Sequence, residues 1–206
     1  MSRGNFGPNR PTGGGGVKPR DGGGGKTVYD GGARSSAGYG GGGGDRDRSQ
    51  PDQTVANLWP GYLEGGYFDD QGSLKIQYVS RCIPGDEILE ESKQKGLEAI
   101  VRAMANARPA LTTGQLRRFF MHCRGIETKL KSGALWGTIR PQFQFIDSAA
   151  SDAHGKQPQK IPGLFYDFIR RNVNAVKTEQ DFLCGFIPHF EALVGFGSLY
   201  IQKERN

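Results

Sequence analysis

Six basic side chains in the second half of the chain have the type and spacing to do chemistry: Arg117, Arg118, Arg124, Lys129, Lys131 and Arg140. Guanidinium and ammonium groups repeated along one element hold phosphate oxygens without reading bases, so that chemistry is the binding of a polyanion. Between Thr113 and Lys131 five of them stand against a single acid, Glu127. Arg117, Arg124 and Lys131 repeat every seven residues and form one row on a helix, while Arg118 and Lys129, eleven apart, form a second. A solvated surface helix shows similar rows, and the local excess of positive charge is what argues for more than that.

The element that must position these rows is residues 111–131. Leu116, Phe119, Phe120, Cys123, Ile126 and Leu130 recur at steps of three and four, which predicts one amphipathic helix with a buried apolar stripe between the basic rows. Thr112 or Thr113 supplies a side-chain oxygen where the first free amides need a cap, and Gly133 follows the last turn.

Charge and composition narrow the setting. Of a formal net charge of +6, residues 1–48 hold eight Lys or Arg against four acids, and residues 49–206 hold nineteen against seventeen. Basic character in the folded part is therefore local to particular helices. The three cysteines, Cys82, Cys123 and Cys184, are far apart and include no C-x-x-C pair, so neither a disulfide framework nor a zinc ribbon is indicated. They read as reduced, mostly buried thiols. No apolar run approaches eighteen residues and no signal-like segment follows Met1, so a soluble, cytoplasmic protein is expected, with no membrane partner.

The chain divides by composition. Residues 1–50 contain eighteen of the thirty-three glycines and almost no aliphatic side chains, which predicts a disordered Gly/Arg-rich tail. Residues 51–85 mix aromatics and turn residues and read as an extended strap, with a turn at Asp70-Gln71-Gly72 and then alternating Leu74, Ile76 and Tyr78, a small hairpin. Such a hairpin packs onto the helices or onto a neighbouring subunit, and Trp59 is an anchor for either. Residues 86–203 follow a helical period.

A first helix opens at Asp86 and Glu87, turns Ile88, Leu89, Leu97, Ile100, Val101 and Met104 inward, and ends before Pro109. The basic helix is second. A third covers about 134–153, burying Leu135, Ile139, Phe143 and Ile146, with a kink at Pro141. Pro162 suits the first turn of a fourth, with Phe165, Phe168, Ile169 and Val173 inward. The fifth begins at Thr178, whose T-x-x-D spacing to Asp181 matches a capping box, and bends at Pro188. The expected fold is all-α: a compact five-helix bundle, preceded by the strap and the tail.

LTTGQLRRFF in the second helix, IRPQFQF in the third and FEALVGFGSLY at the end of the fifth resemble the small helical subunit of type III-A CRISPR-Cas effector complexes, the Csm complexes. GYFDDQGSL before the bundle is also similar to a segment of that family, so the resemblance covers roughly residues 62–201. It implies a non-catalytic subunit without a cofactor, present in several copies and stacked beside the repeated backbone subunit that holds the guide RNA. The guide–target RNA duplex, the backbone subunit, a large polymerase-like subunit and further copies of itself are the implied partners. Arg117 and Arg118 fall on the family's basic pair after the Thr-x-x-Leu pattern. Arg124, Lys129, Lys131 and Arg140 come from the helical wheel alone. One departure is that family members commonly carry a basic residue after the aromatic of the third helix, where this chain has Phe145 followed by IDSAASD.

Two other readings make different demands. Arg117 to His122 spells R-x4-H, which resembles the motif of the all-α HEPN ribonucleases and implies RNA cleavage. Alternatively the tail is the active part, its arginines meeting phosphates while Tyr29, Tyr39 and Phe6 stack on bases, and the chain is a stand-alone RNA binder. His154 reads as solvated and His189 as structural; neither belongs to a metal-ligand or nucleophile constellation.

Overall fold

A computed structural model describes residues 53–86 and 94–202. The tail expected over 1–50 and the inward turn of Ile88 and Leu89 lie outside them. The described residues are all-α: α1 (Val55–Leu58), α2 (Leu97–Asn106), α3 (Thr113–Lys131), α4 (Trp136–Gly155), α5 (Gly163–Ala175) and α6 (Ile187–Tyr200). A single 3-10 turn, Ile76–Tyr78, and a π-helical turn, Asp181–Phe186, complete them.

The five long helices of the bundle follow from the periodicity, with adjusted ends. α2 starts at Leu97, because Gly96 takes φ 117° and lies against the backbone of Cys82 and Ile83, where an added Cβ would come within 3.0 Å of the Ile83 nitrogen. Leu135 is a correction: expected inward, it is 75 % exposed. It occupies the extended cap position before α4, and Trp136 turns in instead, its indole N–H donating to the Lys177 carbonyl at 3.1 Å and its ring packing on Phe143 and Phe182. Pro141 lies inside α4.

α6 is the central helix, packed against α2, α3 and the 3-10 turn. Together with the π turn before it, residues Asp181–Tyr200 are long and apolar enough to cross a membrane; the bundle accounts for that apolarity by burying Phe182, Phe186, Phe190 and Leu193 completely. Each such side chain contributes about 2 kcal/mol relative to exposure. Pro188 has no N–H for the helical ladder, and its ring would crowd the carbonyl four residues back. Rather than a simple bend, the chain widens into the π turn just before it, where the Ile187 N–H reaches five residues back to the Phe182 carbonyl. Asp181 caps the start: its carboxylate accepts from the Thr178 N–H at 2.8 Å while the Thr178 hydroxyl accepts from the Asp181 N–H at 3.0 Å.

Residues 53–86 supply core, with Val55, Trp59, Tyr62, Tyr67 and Tyr78 all buried among the helices. Their turn is as read: Asp69 accepts from the N–H groups of Gln71 and Ser73, Gly72 takes φ 79°, and Phe68 pairs with Leu74 in one antiparallel bridge. The alternating strand expected after it is instead the 3-10 turn, which leaves Ile76 exposed and sends Tyr78 inward. Asp167 on α5 accepts from the Val55 N–H at 3.0 Å, so the strap is held at its first helical turn. His154 is a second correction. Half-buried, it stacks on Tyr166 and hydrogen-bonds to Gln159.

Candidate nucleic-acid interface

α3 is fixed first at its N-terminus. The Thr112 hydroxyl accepts from the Gln115 N–H at 3.2 Å and the Gln115 side chain accepts from the Thr112 N–H at 2.9 Å. This capping box satisfies two amides that the helix cannot, and sets the rotational register of everything after it. Gln115 also donates to the Lys160 carbonyl at 2.6 Å, tying this end to the loop before α5. Leu116, Cys123, Ile126 and Leu130 are buried, while Phe119 and Phe120 are half-buried and meet Phe165 and Phe190 edge-on. Burial pushes the Cys123 thiol's pKa up, so it stays protonated and is no nucleophile.

With the stripe buried, the two basic rows emerge on opposite flanks of α3. In the first, Glu127 is buried and takes Arg124 at 2.7 Å and Lys131 at 2.6 Å on its two oxygens. The Arg124 guanidinium also lies 5.9 Å from the centre of the Phe120 ring. Arg117, at the head of this row, is exposed and makes no ion pair among the described residues.

The second flank faces α4. Arg118 is exposed and, among the described residues, without an ion pair. Lys129 donates to the Gln142 side-chain oxygen at 2.7 Å, a neutral partner that leaves its charge uncompensated. Between them His122 bonds the Gln142 main-chain carbonyl at 3.1 Å; since a carbonyl only accepts, Nε2 carries the proton. Arg140 precedes Gln142 by two residues and so lies on the far side of α4, half-buried, apart from both rows.

Between α3 and α4 runs a shallow apolar groove of about 200 Å³, lined by Arg118, Phe119, His122, Phe145, Ile146 and Ala149. Phe145 is 63 % exposed. Phe145, noted in the sequence only for the missing basic residue after it, falls outside the buried series Ile139, Phe143, Ile146 and Ala150, which is itself a signal of exposure; Gln142 carried no signal.

Arg117 and His122, the R-x4-H pair, stand on different faces of α3. Five residues along a helix turn about 140°, and only His122 of the two lines the groove.

Residues 91–203 match the sequence model of the family Csm2 Type III-A. No curated protein and no solved structure matches the chain. The matched stretch holds α2 to α6, and with them every residue of this interface; the strap segment GYFDDQGSL lies before it.

Proposed function

Because this chain belongs to the Csm2 Type III-A family, and is thereby a subunit of the multi-subunit type III-A CRISPR-Cas complex, we propose that it holds the backbone of the guide–target RNA duplex without reading sequence. In this reading the subunit is non-catalytic and cytoplasmic. It is repeated along the complex beside the backbone subunit and the large polymerase-like subunit, and residues 1–50 form a separate tail. One observation carries the reading: Arg117 and Arg118 are both exposed, one on each flank of a capped, well-packed helix, with no carboxylate to neutralise them among the described residues. In an RNA-guided machine base pairing reads the sequence, so a supporting subunit needs phosphate contacts that tolerate every sequence. Lys129, whose charge faces only Gln142, extends the same surface. Arg124 and Lys131 are committed in part to Glu127 and act as weaker contributors. Arg140 stands apart and is at most a separate contact. Several weak copies along one duplex act together through avidity.

The test compares target-RNA affinity across a salt series for complexes carrying the wild-type chain, Arg117→Ala/Arg118→Ala, or a deletion of residues 1–50. The double substitution should weaken binding of all sequences alike and flatten the salt slope by roughly 2 per copy. Unchanged affinity in that variant, with binding lost on deletion of the tail, would transfer the function to the tail.

A further inference from the structure

The groove between α3 and α4 combines a cation with two features that phosphate binding alone does not require. Its floor, Ile146 and Ala149, is apolar, and one wall is an aromatic ring left 63 % in solvent on α4. One edge is cationic: Arg118 lines the groove and has no ion-pair partner among the described residues. No carboxylate lines it, and Asp152, farther along α4, is already bonded to Lys156 at 2.6 Å.

A single exposed phenylalanine is ordinary by itself. Set in a concavity beside an unneutralised guanidinium, it matches a ligand that carries a flat apolar face and an anion within one small unit. The volume of about 200 Å³ is below the roughly 300 Å³ at which pockets for whole small molecules begin, which suits one planar group. An aliphatic protein side chain would fill the floor but leave Arg118 without a counter-charge. A nucleotide brings both parts together, its base for the ring and its phosphate for the guanidinium.

We propose that this groove receives one unpaired nucleobase of the bound RNA, stacked on Phe145, with the adjoining phosphate held by Arg118. His122 borders the base, its ring fixed by the bond to Gln142. The inference rests on the reading that this flank of α3 meets RNA, and adds that the flank distinguishes an unpaired nucleotide from a continuous duplex.

The experiment uses the full-length chain with two RNA duplexes of equal length that carry one 2-aminopurine, either paired or as a single bulge. Wild type should bind the bulged duplex about tenfold more tightly, and the fluorescence of the bulged base should be quenched on binding. Phe145→Leu, at a position too exposed to disturb folding, should abolish the preference and the quenching while paired-duplex affinity stays within about twofold. Arg118→Ala should weaken both duplexes. Equal affinity of wild type for the two duplexes, or a preference that survives Phe145→Leu, overturns the inference and leaves the proposed function standing. Failure of wild type to bind the bulged duplex overturns the inference, and the proposed function is decided separately by the salt series on the assembled complex. If Phe145→Leu leaves RNA binding and quenching intact but releases a neighbouring subunit from the purified complex, the groove is a protein contact and the inference fails.

Discussion

The phenolic oxygen of Tyr62 lies 2.6 Å from Nε2 of His189, across 127 residues of sequence, and the bond fixes a chain of protons through the core. Nδ1 of His189 lies 2.6 Å from the Tyr78 carbonyl, which only accepts, so Nδ1 carries the proton and Nε2 accepts from Tyr62. Tyr62 in turn accepts from the Asn172 amide at 2.7 Å, and the Asn172 oxygen accepts from the Tyr67 hydroxyl at 2.8 Å. Every polar atom of this buried set has a role, and three aromatic residues of the strap are locked to α5 and α6 through it.

Acid should loosen that lock. Burial lowers the His189 pKa from 6.5 to about 4, against a smaller upward pull from the bond to Tyr78. Between those values the unfolded chain binds a proton that the folded chain refuses, so stability falls as pH drops from about 6.5 to about 4 and is flat in this respect above. The loss is about 3 kcal/mol at 1.36 kcal/mol per pKa unit. Urea unfolding of wild type and His189→Gln at pH 7 and pH 4 measures it: the variant starts less stable and loses less on acidification. Parallel losses in the two proteins would mean that His189 does not titrate in this window.

Gly185 gives a prediction whose sign is unusual. Alanine normally stabilises a helix by about 1 kcal/mol over glycine. At this position a Cβ would lie 2.6 Å from Cγ of Tyr67, a ring held by its own hydrogen bond to Asn172 and unable to withdraw cheaply. Gly185→Ala should therefore destabilise by about 2 kcal/mol through overpacking. Gly125→Ala, where nothing lies within 4 Å, should show the ordinary stabilisation. Thermal melts of the two variants side by side check this, and a stabilised Gly185→Ala would show that the strap is not pinned against the π turn.

These two positions also mark where the sequence stops being readable. α3 was legible end to end, because its cap, apolar stripe and terminal Gly133 are all local signals at fixed spacing. So were the inward faces of α5 and α6. The strap's role was not, since Tyr62, Tyr67 and Tyr78 find partners more than a hundred residues away and no local period announces them. The π turn meets the same distant partner, with Tyr67 filling the space that Gly185 leaves. Leu135 kept the right spacing to Ile139 and still faces solvent, because the cap backbone decides its direction before the helical period applies. In the candidate site the basic rows were visible as rows. That Glu127 divides them unequally was available from its spacing, three after Arg124 and four before Lys131, but its burial was not.

Glu127 offers the sharpest test of how far the interface extends. Its carboxylate draws Arg124 and Lys131 toward the bundle, and both remain partly exposed. Glu127→Gln keeps the shape and a hydrogen-bonding oxygen but removes the charge, so both cations become available to an external anion. Stability should drop by only about 1 kcal/mol, since the two partners can return to water. If the Arg117–Arg124–Lys131 row faces RNA, the variant should bind more tightly at low salt than wild type, and its slope of log affinity against log salt should steepen by about 1 to 2. A substitution that removes a buried ion-pair partner yet strengthens RNA binding has no purely structural explanation. An unchanged slope with the same small loss of stability would take Arg124 and Lys131 out of the interface, confining the phosphate contacts to Arg117, Arg118 and the α4-facing flank with Lys129.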